Sequence, residues 1–201
     1  IKPCELYNLA GQSSVGLSFV VPYETYVSIA TGTLNLLEAI RTTDQSVRFY
    51  NAGSGEVFGD TKGLLAKEST QFLPVSPYGA AKAAAIWQVA TYRKSYGLFA
   101  CTGILFNHES DLRPEAYVTK KIIKAACRIA RGSDTKLHLG NLKISRDWGF
   151  APEYVEAMWA MLQLECPEDF VIATGESSSL ESFVQKSFAY FDLNWEDYVI
   201  I

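Results

Sequence analysis

The chain has 201 residues, of which 48% are hydrophobic and 20% charged, an ordinary composition for a globular protein with a sizeable core. Its 18 basic and 22 acidic residues leave a formal net charge of -4. That argues against nucleic acid as a partner, because phosphate backbones need a basic surplus. No uninterrupted apolar run is long enough to span a bilayer, so no membrane partner is expected. Cys4, Cys101, Cys127 and Cys166 lie far apart, which fits neither a disulfide framework nor a metal cage. Free buried thiols in a reducing cytoplasm, and no metal, are the expectation.

Leu6 to Ala10 reads as a short strand running into the loop Ala10 to Ser14. Tyr26 to Arg41 carries apolar residues at helical spacing, at Val27, Ala30, Leu34, Leu37 and Ile40. Val47 to Ala52 is a second strand, stopped by Gly53-Ser54-Gly55, and Gly59 to Pro77 is loop-like. Pro77 starts a helix that runs to Tyr96, with Gly97 in the usual C-terminal role. Ala100 to Phe106 is a third strand. Alternating strands and helices predict parallel βαβ units, whose right-handed crossovers place all strand C-terminal ends on one edge. Ligands of such sheets bind beyond that edge.

After Phe106 the pattern changes. Val118 to Arg131 is a basic amphipathic helix, and Lys136 to Arg146 reads as a hairpin around Gly140-Asn141. Pro152 to Leu164 is a helix, Phe170 to Thr174 a strand, and Ser179 to Phe191 a helix capped by Ser179. The expected fold is α/β: a partial Rossmann-like parallel sheet over residues 1–106, carrying the catalytic residues, and a smaller mixed α/β substrate-binding domain over 107–201. Trp87, Trp148 and Trp159 are expected to serve packing rather than binding.

Tyr78 and Lys82 are four apart, so on a helix they share one face. A phenol ionises near pH ~10, and a neighbouring ammonium favours its ionised form. The pair is therefore a workable acceptor for a substrate hydroxyl proton, although the spacing alone also suits a surface helix pair. Ser54 and Glu56 follow a buried strand, and on an extended backbone they point the same way. Abstraction at one carbon needs a single base. Loss of water across an adjacent pair needs a second acid/base group, and Glu56 fits that need.

Several stretches follow one another in the order of a known family: Leu6 to Ser13, Gly32 to Ala39, Asn51 to Gly59, Ser76 to Lys82, Leu105 to Ser110, Arg146 to Gly149 and Pro152 to Trp159. Together they resemble the motifs of GDP-mannose 4,6-dehydratases, extended short-chain dehydrogenase/reductases. Asn107-His108-Glu109-Ser110 and Arg146-Asp147-Trp148-Gly149 are the more specific of these. The resemblance implies that Tyr78 deprotonates the sugar 4-hydroxyl, Lys82 holds the nicotinamide ribose and tunes Tyr78, and Ser54 hydrogen-bonds the 4-oxygen. It implies that Glu56 takes the C5 proton and helps expel the C6 hydroxyl. Leu9, Ala10, Gly11, Gln12, Ser13, His108 and Arg113 would line NADP. Asn107, Lys120 and Arg146 would contact the GDP part of the substrate, GDP-mannose. Family members form homo-oligomers.

The chain departs from that pattern in places. It contains no Gly-x-x-Gly-x-x-Gly turn, and both ends read as cut, so a fragment with an open, apolar sheet edge and weak NADP binding is expected. Gly55 stands where the family usually has serine, and Gly11 and Ser14 where many members have alanine and histidine. A nucleotide-sugar 4-epimerase, which needs Tyr78 and Lys82 but not Glu56 as a C5 base, is the alternative enzyme reading. A truncated, non-catalytic remnant is the alternative to any enzyme.

Overall fold

The computed structural model describes residues 2–201. In chain order the first elements are β1 (Glu5–Asn8), α1 (Val15–Ser18), α2 (Pro22–Tyr26), a π-helical turn over Val27–Thr31, α3 (Gly32–Thr43) and β2 (Arg48–Ala52). A 3-10 turn over Gly55–Val57 leads to α4 (Pro77–Tyr96), β3 (Ala100–Leu105), β4 (Asn107–Glu109) and α5 (Val118–Ala130). Then come β5 (Leu137–His138), β6 (Ser145–Phe150), α6 (Ala151–Gln163), β7 (Phe170–Ile172), β8 (Ser177–Ser179), α7 (Leu180–Ala189) and β9 (Val199–Ile200). None of the described helices is long and apolar enough to cross a membrane.

The chain forms two compact units, one of residues 1–106 with 153–172, the other of 107–152 with 173–201. The first differs from the expected single cut after Phe106. Glu153 onward carries an apolar face, Tyr154, Met158, Met161 and Leu162, that is buried against Tyr50, Ala52, Cys101 and Leu105. Removing those side chains from water contributes about 2 kcal/mol each, enough to recruit α6 and β7 to the sheet.

That sheet has the order β1-β2-β3-β7, with every pair parallel. Strand alternation sends Phe49 and Ala100 to one face, where Leu37 and Ile40 of α3 and Val89 of α4 cover them. The neighbouring Tyr50 and Cys101 face α6. Helices on both faces bury the central strands completely, the arrangement that near-continuous apolar runs in parallel strands require. At the β1 edge, Leu6 packs with the α3 cluster and Tyr7 with the α6 cluster. Glu5 accepts from the Tyr7 hydroxyl at 2.7 Å and from Gln163 at 2.9 Å, so this edge carries a charge as well as apolar side chains.

The expected long helix from Tyr26 divides into α2, the π turn and α3, because the Thr33 hydroxyl bonds back to the Ile29 carbonyl at 2.7 Å where the turn widens. Ser76 caps α4 by accepting from the Gly79 amide at 3.0 Å, Pro77 takes its first turn, and Gly97 ends it at φ 69°.

In the second unit, β4 pairs in parallel with β6, and β8 pairs antiparallel to β6. The expected hairpin across Gly140-Asn141 does not form. β5 pairs in parallel with the distant β9 instead, and Leu142 between the two segments is buried in the core under α5 and α7. The thiols are unpaired, but only Cys101 is buried; Cys4 and Cys166 are exposed. Trp148 packs against Phe183, whereas Trp87 and Trp159 are more than half exposed despite the contact of Trp87 with Phe72.

One polar anchor ties β3 to β7. Arg93 of α4 meets Asp169 through two hydrogen bonds of 2.9 and 2.6 Å, and Asp169 also accepts from the Thr102 amide at 2.7 Å. With both side chains only about a fifth exposed, Asp169→Ala is expected to lower unfolding free energy by about 3 kcal/mol, and Asp169→Asn by about half that. Urea denaturation measures both; equal stability of the alanine variant and the unchanged chain would show that this anchor contributes nothing.

Candidate functional site

The parallel register places the C-terminal ends of β1 and β2 side by side. The segment after β1, Leu9 to Ser13, is mostly exposed and is braced from below. The Ala10 amide donates to Asn8 Oδ1 at 3.3 Å. The Gln12 side chain donates to the Ser14 carbonyl at 2.8 Å and to Thr25 Oγ1 at 3.1 Å, and it accepts from the Ser14 amide. Gln12 is thus occupied within the loop, and what the loop offers a ligand is its backbone and small side chains. Gly11 sits at φ 117°, and a Cβ there would lie 2.8 Å from Ile29 Cγ1, so both backbone and space require glycine.

After β2, Gly53 passes so close to β3 that a Cβ would lie 2.9 Å from the Gly103 carbonyl oxygen. Ser54 is extended and caps the 3-10 turn, accepting from the Glu56 amide at 3.3 Å. This corrects the expected extended alternation: Ser54 and Glu56 are brought together by a capped turn, not by a strand. Gly55, where the resemblance leads one to expect serine, lies against Phe106, whose ring would stand 3.1 Å from a Cβ, a tight contact.

The first turn of α4 packs on this capped turn. A Cβ at Gly79 would come 2.8 Å from the Glu56 carbonyl oxygen, so the residue next to Tyr78 touches the backbone of Glu56. Tyr78 and Lys82 are both about 8% exposed. Lys82 Nζ donates to the Ala52 carbonyl at 2.7 Å and stands 5.8 Å from the centroid of the Tyr78 ring. Ser54, Glu56, Tyr78 and Lys82 therefore gather at one sheet edge, next to the residues that lead from β1 into Leu9–Ser13. Burial pushes the Lys82 ammonium down to about 8 from 10.5.

The remaining expected residues lie in the second unit. Asn107 and His108 sit on β4 beside Trp148 and Gly149 of β6. Arg113 pairs with Glu109 at 3.1 Å and stacks 3.7 Å over the Tyr117 ring, partners that pattern-reading did not single out. Lys120, in the first turn of α5, folds back onto the Asp111 carbonyl. Arg146 is exposed and bonds the neighbouring Ser145 carbonyl at 2.9 Å. Beside it, buried Asp147 accepts from the Thr174 and Gly175 amides at 3.1 and 2.8 Å, fixing the approach to β8. A separate cleft of about 250 Å³ between α5 and β5 contains none of the expected residues. Its lysines are engaged: Lys121 with the His138 carbonyl, Lys124 with Glu115, and Lys136 with the Asp197 carbonyl.

Two outcomes follow from the first unit's site. Alanine in place of an ordinary helical glycine stabilises by about 1 kcal/mol, but Gly79→Ala is expected to destabilise by about 1–3 kcal/mol, because the Glu56 backbone must move. A gain in denaturation midpoint would contradict the close approach. Lys82 has a native pKa below its unfolded one, so the unfolded chain binds more protons between pH 8 and 10.5 and stability from this group rises with pH across that window. Relative to the unchanged chain, Lys82→Met should gain roughly 3 kcal/mol at pH 7 from this source, less the lost Ala52 hydrogen bond, and the pH-dependent gain should fade by pH 10.5. Denaturation curves at pH 7 and above pH 10 test the slope; a constant difference between the two proteins would refute it.

A family model described as GDP-mannose 4,6 dehydratase matches residues 1–199. Among curated proteins, the chain is 55% identical over 205 residues to GDP-mannose 4,6 dehydratase 2 of Arabidopsis thaliana, covering 100% of the chain and 55% of that protein. It is 48% identical to GDP-mannose 4,6 dehydratase of Homo sapiens, covering 98% of the chain and 54% of that protein. The chain thus spans about half the length of these relatives. Among solved structures, RMD from Pseudomonas aeruginosa complexed with NADPH superposes with a TM-score of 0.90 at 22% identity, over 98% of this chain and 67% of that one. DesIV, a dTDP-glucose 4,6-dehydratase from Streptomyces venezuelae with NAD and TYD bound, gives 0.87 at 19% identity, over 98% and 59%. These two likenesses establish a shared Rossmann-type fold. With the family model spanning the capped turn, the Tyr78–Lys82 helix and both units alike, the chain belongs to the GDP-mannose 4,6-dehydratase family.

Proposed function

We propose that the protein to which these residues belong converts GDP-mannose to GDP-4-dehydro-6-deoxy-mannose and water, a hydro-lyase reaction assisted by NADP. The observation that carries this reading is the contact between α4 and the Ser54–Glu56 turn, which sets a buried Tyr-Lys pair against a carboxylate-bearing loop. A 4-epimerase needs the pair alone; elimination of water needs the carboxylate as well.

The residues present suit the nicotinamide end of the cofactor. The Lys82 ammonium and the Tyr78 hydroxyl suit a ribose, and the exposed backbone of Leu9, Ala10, Gly11 and Ser13 lies beside them, with Gln12 bracing that backbone. No glycine-rich turn for a pyrophosphate occurs within these residues, so the fit is to that end only. Bound there, NADP would supply the hydride acceptor for C4 of the sugar and the hydride source for C6.

The Lys82 cation favours the phenolate of Tyr78, which takes the proton of the 4-hydroxyl and becomes the neutral phenol. Ser54 donates to the 4-oxygen as it becomes a carbonyl. The C5 proton, acidified by that carbonyl, passes to Glu56, which protonates the departing C6 hydroxyl so that water leaves; as C6 receives hydride, C5 takes up one proton, and this balances the proton that Tyr78 removed from the 4-hydroxyl. In the second unit, Asn107, Lys120 and Arg146 would hold the GDP moiety, with the cations facing its pyrophosphate. The exposed apolar side chains of Tyr23, Tyr26 and Trp87 support a homo-oligomer.

Incubation with GDP-mannose and NADP, followed by mass spectrometry of the sugar nucleotide, tests this reading. The expected product is lighter by one water and carries a carbonyl. Glu56→Gln should slow water loss by about 10²–10⁴-fold while leaving transient cofactor reduction detectable at 340 nm, roughly the absorbance maximum of the reduced nicotinamide. Dehydration at an undiminished rate would remove Glu56 from its role, and a C4 epimer of unchanged mass would replace the dehydratase reading.

A further inference from the structure

We infer that Asn8, Asn51, Thr102 and Thr33 form a positioning device that holds the segment Leu9–Ser13 at a fixed spacing from the Ser54–Glu56 turn. Asn8 pairs with Asn51 across β1 and β2, and Asn51 with Thr102 across β2 and β3, so these three residues form one lateral row through the sheet. Thr33 approaches that row from α3. All four are at least 94% buried, in a layer otherwise packed with Leu37, Phe49, Val89 and Ala100.

Polar groups in such a place cost free energy unless each is bonded. Here the bonds form a continuous path. Asn8 Nδ2 donates to Thr33 Oγ1 at 3.0 Å and to Asn51 Oδ1 at 3.1 Å. The Thr33 hydroxyl spends its proton on the Ile29 carbonyl at 2.7 Å, so towards Asn8 it acts as the acceptor. Asn51 Nδ2 reaches Thr102 Oγ1 at 3.5 Å. The remaining Asn8 oxygen accepts from the Ala10 amide at 3.3 Å, which is the point where the row leaves the core and grips the loop. At the other end, Asn51 immediately precedes Ala52, whose carbonyl anchors Lys82, and Ser54 follows two residues later.

An apolar row would pack as well but would not discriminate between small shifts of β1 against β2. A hydrogen-bonded row does, because a slip of one residue would leave several buried groups unpaired at once and turn their side chains to the other face. The row thus transmits the register of the strands to the two segments that face a ligand. Its functional sense rests on the proposed reading of those segments, but its existence does not.

Amide hydrogen exchange of the 201-residue chain separates the two. Thr33→Val removes the hydroxyl at nearly constant volume, Thr33→Ser keeps it, and Asn51→Leu breaks the middle of the row. Thr33→Val and Asn51→Leu should each speed exchange of the Ala10 to Ser13 amides by about tenfold or more beyond any change at Tyr50 and Ile104 in the strand centres, and Thr33→Ser should restore protection. Unchanged loop exchange, or loop and strand centres accelerating together with serine no better than valine, overturns the inference. If Asn51→Leu does not fold, the valine and serine pair decides alone. Product analysis with the full-length protein is the separate measure of the functional reading: a C4 epimer of unchanged mass in place of a dehydrated sugar defeats that reading, while the exchange result still judges the row.

Discussion

The candidate site depends on one close approach, that of α4 to the carbonyl of Glu56. No side chain fits at Gly79, and the absence of one lets a helix end rest directly on a loop backbone. The helix then delivers Tyr78 and, one turn on, Lys82 to the strand-end edge. Ser76, Pro77 and the Ser54 cap define the two segments that meet there, so the contact is made between stiff pieces rather than between flexible loops. The approach sets the spacing of these two segments through backbone atoms that no rotamer change can move.

The charge at Lys82 is the counterpart of that rigidity. A cation removed from water is weakened as an acid-base partner unless something nearby favours its protonated form. Here the Ala52 carbonyl accepts from it at 2.7 Å. A phenolate at Tyr78, 5.8 Å from ring centroid to Lys82 Nζ, would favour the ammonium further.

How much of this was legible in the sequence depended on how local each signal was. The helix from Pro77 to Tyr96 was readable to the residue because its stop and start signals, Ser76-Pro77 and Gly97, act within one turn. The parallel strands were readable as apolar runs between helices. The false hairpin at Gly140 arose because β5 finds its partner in β9, roughly sixty residues away, and turn chemistry at Gly140-Asn141 says nothing about a strand so distant. The single cut at Phe106 missed α6 and β7 for the same reason: the apolar face of α6 is visible, but not the surface it covers. Ser54, Glu56, Tyr78 and Lys82 could be named as candidates from motif resemblance, though the capped turn that joins the first two could not. Asn8 and Thr33 gave no separate signal, since a polar residue at a strand end looks like the start of a loop, and one on a helix looks like part of its solvent face, until its buried partners are known.

The chain passes between its two units three times, after Phe106, after Pro152 and after Ile172. On a ribosome, therefore, the first unit cannot finish when its first 106 residues emerge. Until Glu153–Ile172 has been synthesised, the surface of Tyr50, Cys101 and Leu105 has no helix to cover it, and β3 has no outer neighbour. The second unit's early strands are made during that interval. Vectorial synthesis thus leaves a sticky half-sheet waiting across some fifty residues of further translation, and it is in that interval, more than in the finished molecule, that the chain is most exposed to association with the wrong surface.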